Sequence, residues 1–492
     1  MTLRKQLFAV KGVDLLMAEM AGEHGLRRVL GPVSLTALGV GAIIGAGIFV
    51  LTGLAANHYA GPALVLSFVV AGFGCAFAAL CYAEFASMVP VAGSAYAYAY
   101  ATLGELFAWI IGWDLVLEYA VASSTVAYGW SHYFLSLLAS FGIEFPAALA
   151  GAPVDFDPAA GQWVATGAYF NLPAAVIVLA VTVVLVLGIR ESAGFNAAMV
   201  IVKVAAVLFV ILVGAAYVQP TNWQPFMPHG WEGVFKGAAY VFFAYIGFDS
   251  VSTHAEEARN PQRDVPIGLI VSLLLCTLLY IGVAAVLTGM VRYDQIDVDA
   301  PVAAAFTSRG LPIASVIISV AAVVGITSVL LVMLLSQARV LMAMARDGLI
   351  PREFFGAVHP RFRTPYKATI LTGVLVSIAA ALFPLKLLAD LVNIGTLMAF
   401  AIVCGAVMVM RRTNPDMPRP FRTPLVPLVP LLGIVFNVGM MFSLGWENWV
   451  RLGVWLLLGV AIYFFYGRKR SRLALMLARE LAATGAGGRA RP

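Results

Sequence analysis

Twelve apolar stretches, each long enough to be a membrane span, constrain this chain more than any other feature. A helix needs roughly 20 apolar residues to cross a hydrocarbon core of about 30 Å. The stretches run over 33–56, 62–88, 103–138, 171–189, 194–217, 233–255, 267–291, 311–345, 366–383, 387–410, 428–445 and 448–467. Helix breakers such as Gly61-Pro62, Gly151-Ala152-Pro153 and Asn414-Pro415 separate them. With 61% hydrophobic and 11% charged residues in 492, the chain is too apolar for a soluble domain. An all-α membrane protein is expected.

Charge asymmetry orients the spans. With the N-terminus inside, Arg4, Lys5, Lys11, Arg27 and Arg28 precede the first span on the cytoplasmic side. Arg190, the loops at 346–367 and 411–422, and a basic tail from Arg468 fall on the same side. Only Arg292, Arg309, Lys386 and Arg451 fall outside, and segment 139–168 has neither Lys nor Arg. The positive-inside rule then places both termini in the cytoplasm of a multi-pass protein, with the tail free to touch anionic lipid. The net charge of +6 is a topology signal and not a sign of nucleic-acid binding. Cys75, Cys81, Cys276 and Cys404 all sit in apolar runs without CxxC spacing, which suits packing residues. The first 31 residues are basic and mildly amphipathic and do not read as a secretory signal.

The first span carries Gly39, Gly41, Gly45 and Gly47. Each glycine weakens a helix by about 1 kcal/mol relative to alanine. Unwound backbone survives in a bilayer only where it lines a cavity or is buried in protein. A break at Ile44, Gly45, Ala46 and Gly47 would expose amide groups at the start of an outer half-helix, a ready cradle for a carboxylate. Taken alone, Gly41 and Gly45 also fit a helix-packing GxxxG pair. A dinucleotide fingerprint is excluded because no βαβ unit surrounds the run. The sixth span is interrupted likewise at Ala244-Tyr245-Ile246-Gly247-Phe248. Spans one and six hold corresponding places in two sets of five and cross in opposite directions, the pattern of an inverted repeat with discontinuous helices. The organisation read from this is an N-terminal segment 1–31, repeats at 32–217 and 218–411, two added helices at 412–467, and a tail at 468–492.

Several motifs carry a family resemblance. Gly41-Ala-Ile-Ile-Gly-Ala-Gly-Ile-Phe-Val-Leu-Thr-Gly53 and the stretch from Phe243 to Gly268 resemble signatures of the amino acid–polyamine–organocation superfamily. Arg339 to Leu349, Leu391 to Phe400 and Arg419 to Pro427 resemble its cationic amino acid transporter branch, in the bacterial type. The resemblance runs from about residue 30 to 467. It implies the LeuT-type fold of five plus five helices, alternating access, and a plasma (bacterial inner) membrane location. It further implies that the substrate α-carboxylate meets amides near Ile44 to Gly47. The amino group would meet carbonyls of Phe243, Ala244 and Ile246, with Phe243 and Phe248 as a gate or wall. The partners implied are an amino acid substrate and the lipid bilayer, with a small single-span accessory protein left open. No cofactor is implied beyond a proton as coupling ion.

Ionisable groups inside spans are costly and usually functional. Lys203 lies too deep in the fifth span to snorkel easily, and burial makes a lysine able to exchange its proton as a cavity opens and closes. The resemblance sharpens this, since proton-coupled relatives carry a lysine there; its ammonium would reach the first and eighth spans near Thr327 and Ser328. Asp114 and Glu118 share a face of the third span; by resemblance Glu118 lies near the substrate cavity and Asp114 is a structural partner. Glu84 and Asp249 read as helix–helix hydrogen-bonding groups. Ile326 resembles a side-chain selectivity position, where an isoleucine favours small neutral over cationic amino acids. The reading is a proton-coupled importer. A sodium symporter, an exchanger and a transport-inactive sensor remain alternatives. No HExxH or Ser/His/Asp arrangement supports an enzyme.

Overall fold

A computed structural model describes residues 3–12, 15, 30–88, 94–157, 162–188 and 193–478. Arg27, Arg28, Arg190 and the tail beyond 478, which entered the charge reading, lie outside the described residues. Eight helices are long and apolar enough to cross a membrane, and four shorter apolar ones complete twelve spans among the described residues.

Span 1 is Pro32–Ile43 followed, past a bend, by the turns Gly47–Leu51, Thr52–Ala55 and Ala56–Ala60. Spans 2 to 5 are Leu64–Met88, Glu105–Ser140, Leu172–Leu187 and Ala193–Ala215. Span 6 begins as Gly230–Val241, tightens through Phe242–Tyr245 and resumes as Ser250–Thr253. Spans 7 to 12 are Pro261–Met290, Pro312–Arg346, Tyr366–Leu382, Leu385–Thr413, Leu428–Ser443 and Trp446–Ile462. Prolines open spans 1, 7 and 8 at their first helical position, where no amide proton is missed. Asn171 caps span 4 by accepting from the Ala174 amide at 3.0 Å, and its Nδ2 donates to Ser131 of span 3 at 2.7 Å.

The packing repeats after five spans. Spans 2 and 7, 3 and 8, and 4 and 9 pack on one another. Span 1 packs on span 7 as span 6 packs on span 2, and span 3 packs on span 10 as span 8 packs on span 5. Exchanging each span with the one five places on therefore leaves these pairs unchanged. Five spans is an odd number, so the second set crosses in the opposite direction: the repeat is inverted. Spans 11 and 12 lie outside it, against spans 10, 2 and 6 and against spans 10 and 3 respectively. Glu84 of span 2 secures the intervening loop through Arg411 and Arg419 and accepts from the Thr423 amide.

Three elements escape the span reading. Ser94–Thr102 is helical although its alternating Ala-Tyr pattern has the period of a strand. Alanine's helix propensity and burial of Tyr96, Tyr98 and Tyr100 on different sides outweigh the pattern. Pro301–Ser308 forms a short helix between spans 7 and 8. The segment after span 3 holds a hairpin, β1 (Val154–Asp157) antiparallel to β2 (Gln162–Ala165), with Val154 opposite Ala165.

Where span 6 breaks, Gly247 has φ of +114° and a Cβ there would lie 2.7 Å from the Ala42 carbonyl oxygen of span 1. Gly247→Ala is expected to cost about 1–3 kcal/mol in backbone strain and crowding, read as a lower thermal unfolding midpoint of the purified protein in detergent.

Candidate substrate site

Both interruptions fall near the middle of their spans and touch. The N-terminal half of span 1 ends where Ile44 turns extended, its amide still donating to Val40 at 3.0 Å. Ala46 returns to helical angles and Gly47 opens a wide turn. The first amides of a helical segment have no acceptor within it, so those around Gly47 are directed at the break. In span 6, Ile246 is extended between Phe242–Tyr245 and the left-handed Gly247. A Cβ on Gly47 would lie 2.3 Å from the Ala244 Cα, so only glycine lets the two bends meet.

Span 7 joins them. The Tyr280 hydroxyl lies 2.9 Å from the Ile43 carbonyl and 3.0 Å from the Ala244 carbonyl. Its single proton serves one of the two at a time. The Phe243 carbonyl accepts from the Ile246 amide at 3.1 Å. Two carbonyls assigned by resemblance to a substrate amine thus already accept inside the protein, each with a second lone pair left.

A small cavity lies between the breaks, with room for about one water. Its walls are Ala42, Ile43, Gly45, Ala46, Gly47, Val126, Phe243, Ile246, Val329 and Met333. Of the residues singled out in the sequence, Gly45, Ala46, Gly47, Phe243 and Ile246 line it. Ile44 and Ala244 belong to the breaks without lining it. Phe248 packs instead on Phe400 and Tyr82, with ring centroids 5.0 and 5.8 Å away. Ile326 is buried on span 8 outside the lining.

Val126, Val329 and Met333 are walls that the sequence reading passed over. Ile326, Val329 and Met333 recur at helical spacing on one face of span 8, so extending that stripe would have found the last two. Val126 lies two turns beyond Glu118 on span 3. Every side chain in the wall is apolar; its polar groups are backbone.

Lys203 is fully buried, and its Nζ donates to the Gly41 carbonyl at 2.5 Å, four residues before Gly45. A Cβ on Gly325 would lie 3.1 Å from the Lys203 Cγ, so the absent side chain on span 8 makes room for the lysine stem. Thr327 accepts from the Trp130 indole at 2.9 Å and donates to Val323 at 2.7 Å, while Ser328 donates to Gly325 at 3.1 Å. A second buried group gathers around span 3. Tyr119 donates to Asp249 of span 6 at 2.9 Å, and Glu118 lies near Asp249, Asp114 and Thr396. Neither carboxylate oxygen of Asp114 has a hydrogen-bond partner among the described residues. Among those residues no group of three His, Cys, Asp or Glu is arranged to hold a metal ion, and the four cysteines are buried free thiols.

The amino acid permease family model matches residues 30–462. The chain is similar to the branched-chain amino acid permease BcaP of Bacillus subtilis, 52% identical over 96% of this chain and 100% of that protein. It is 48% identical to the methylthioribose transporter of the same organism, over 95% of this chain and 99% of the relative. The vacuolar cationic amino acid transporter 4 of Arabidopsis thaliana is 40% identical over 80% of this chain and 65% of its own length.

Tyr280→Phe keeps the ring against Phe68 and Tyr245 but removes the hydroxyl shared by the two breaks. Leaving a buried carbonyl short of a donor is expected to cost about 1–3 kcal/mol, measured as a loss of thermal stability relative to the parent protein.

Proposed function

The chain belongs to the amino acid permease family of the amino acid–polyamine–organocation superfamily, and from that premise we propose that it imports L-amino acids with apolar side chains by proton symport. The observation that carries the reading is the cavity at the two breaks, whose side chains are Val126, Phe243, Ile246, Val329 and Met333 around a backbone floor. In this reading the substrate carboxylate takes the amides of Gly45 to Gly47, favoured by the positive end of the outer half-helix. The ammonium takes the second lone pairs of the Phe243 and Ala244 carbonyls and the Ile246 carbonyl, with Glu118 assisting through water.

The side-chain subsite is formed by Val126, Val329 and Met333, which shifts the selectivity role from Ile326 to the next turns of the same helix face. A branched or thioether side chain matches such walls, whereas a guanidinium or ammonium would be left without a partner there. The 48% identity to a methylthioribose transporter favours a second reading, a methylthio sugar held by the same apolar walls. Cavity enlargement is required in either case, and the opening of one side at a time supplies it.

Lys203 is the coupling group. Protonated, it holds the Gly41 carbonyl and so fastens the inner half of span 1; deprotonated, it loses the charge that strengthens that hydrogen bond. In this reading Thr327 and Ser328, on the turn after Gly325, are the span 8 hydroxyls that act with it, although Thr327 is engaged with the Trp130 indole in this arrangement. The termini are taken to face the cytoplasm of a bacterial plasma membrane, supported by the lysine and arginine distribution.

Uptake by the purified protein in liposomes under an imposed inward proton gradient tests this. Leucine, isoleucine, valine and methionine are expected to accumulate, and arginine in excess is expected to leave leucine uptake unchanged. Accumulation that requires sodium, or that occurs with methylthioribose alone, would overturn the reading. Lys203→Met is expected to lower gradient-driven accumulation by about tenfold or more, since an intramembrane charge is the coupling element. Met333→Ser replaces part of the apolar wall with a hydroxyl. It is expected to weaken leucine uptake by about tenfold, as the loss of several methylene equivalents does, measured as a raised half-saturation concentration.

A further inference from the structure

Beyond its break, span 1 resumes in a wide turn whose hydrogen bonds do not balance. The Thr52 amide reaches five residues back to the Gly47 carbonyl, and the Ala56 amide reaches four residues back to that of Thr52. Between those two bonds lie the carbonyls of Ile48, Phe49, Val50 and Leu51 but only the amides of Gly53, Leu54 and Ala55. One carbonyl is left over, in a segment buried inside the protein, where such a group needs a donor from elsewhere. The Tyr133 hydroxyl of span 3 is that donor. It donates to the Phe49 carbonyl at 2.7 Å, and its ring meets the Phe49 ring edge-on with centroids 6.0 Å apart. A second hydroxyl holds the turn wide, since Thr52 Oγ1 also donates to the Gly47 carbonyl at 3.3 Å.

Val126, Gly129 and Tyr133 share one face of span 3, and Val126 lines the cavity. A Cβ on Gly129 would lie 2.9 Å from Val50 Cγ2 and 3.3 Å from Ala46 Cβ, so the missing side chain lets span 1 seat closely. Tyr133 is fully buried at the far end of this contact, its hydroxyl also within hydrogen-bonding reach of the Val302 and Ala303 amides at the start of Pro301–Ser308. That short helix and the segment leading into it fix span 1 farther on. A Cβ on Gly53 would lie 2.4 Å from Pro301 Cβ, and Asn57 Nδ2 donates to the Ile296 carbonyl at 2.9 Å. With Gly53 and Asn57 held, a change of pitch in the turn is taken up at its other end. Closing it to ordinary helical pitch would rotate what precedes it by about 100°, one residue's share of a turn. What precedes it is Gly45 and Ala46, with Gly47 at its start, so their amides would swing away from the cavity.

We propose that Tyr133 is a positioning residue for substrate binding: by supplying the donor that the wide turn lacks, its hydroxyl keeps the amides of Gly45 to Gly47 aimed into the cavity. The role rests on the carboxylate reading given above and adds to it the group that holds that cradle in register. Tyr133 does not line the cavity; it acts through the Phe49 carbonyl. Without its hydroxyl the wide turn keeps an unsatisfied buried carbonyl, and the ordinary pitch, which has none to spare, is favoured.

The test uses the full chain, purified and placed in liposomes. The half-saturation concentration for labelled leucine is compared with the concentration of leucinamide that halves leucine uptake. Leucinamide keeps the side chain and the amine and lacks the carboxylate charge, so the ratio of the two values reads the cradle. Tyr133→Phe is expected to raise the leucine value about tenfold, as loss of a hydrogen bond to a charged group does, and to leave the leucinamide value within about twofold. Thr52→Val, which keeps the shape of the side chain and removes its hydroxyl, is expected to shift the ratio in the same direction, and it decides alone should Tyr133→Phe not fold. Trp113→Phe removes a hydrogen bond to the Trp455 carbonyl away from the turn and is expected to keep the parent ratio. A parent ratio in both Tyr133→Phe and Thr52→Val overturns the positioning role and leaves the carboxylate reading standing. Weakening of leucine and leucinamide in equal proportion overturns it as well, since a merely structural tyrosine would give that result. A parent protein that takes leucine and leucinamide equally well overturns the carboxylate reading itself, and the role of Tyr133 with it.

Discussion

Backbone that leaves its helix inside a membrane must find partners within the protein, and this structure meets that demand by pressing two breaks together. Gly47 lies on Ala244, Gly247 on Ala42, and the Tyr280 hydroxyl between the Ile43 and Ala244 carbonyls. A polar group left unsatisfied in hydrocarbon costs several kcal/mol, so each contact offsets what the neighbouring break exposes. The candidate substrate site is the remainder: amides and carbonyls that the two bends direct at one small space. The glycines are required for approach and turning, and span 7 supplies the tyrosine that keeps the bends in register.

The same geometry divides labour between backbone and side chains. The polar groups at the cavity are main-chain ones, which in the proposed reading every amino acid substrate would use alike, while the walls from spans 3 and 8 are apolar. Those walls stand on helices that run through the middle of the fold without a break. Span 3 packs on spans 8 and 10 and also carries span 12, with the indoles of Trp113 and Trp455 each donating to the other residue's carbonyl at 2.9 and 3.1 Å. A wall mounted on such a scaffold keeps its position while the broken spans rearrange.

Much of this was legible in the sequence because hydropathy in a membrane is a strong signal. The spans and both breaks could be read from apolar length and glycine content, and the break residues Gly45, Ala46, Gly47, Phe243 and Ile246 do line the cavity. Legibility stopped where tertiary packing decides. Ser94–Thr102 has a two-residue period and is nonetheless a helix. Val126, Val329 and Met333 are ordinary apolar residues until the helices are assembled around the breaks. Tyr280 carries no motif; its role comes from the meeting of three spans. Ile326 shares a face of span 8 with Val329 and Met333 but lies outside the cavity lining, because the depth of the cavity along that face depends on where the bends fall.

The three anchors on span 1 explain how charge and movement can be linked. Its inner half is held to span 5 by Lys203 at Gly41, to the span 6 break at Ala42, and to the segment after span 6 by Leu30. Two of these join it to span 6 and the segment after it, so the N-terminal half of span 1 and the part of span 6 beyond its break form one unit. Of the three, the Lys203 contact is the one that joins that unit to span 5, on which span 1 also packs directly, and span 5 packs in turn on span 8. It is also the one anchor whose strength depends on a proton, since the other two are backbone contacts. On the proposed coupling role, a change in protonation at Lys203 acts on this unit where it meets span 5, four residues from Gly45 in the lining of the cavity. Under that proposal binding and proton transfer bear on the same short piece of helix, and no longer path through the protein is needed to couple them.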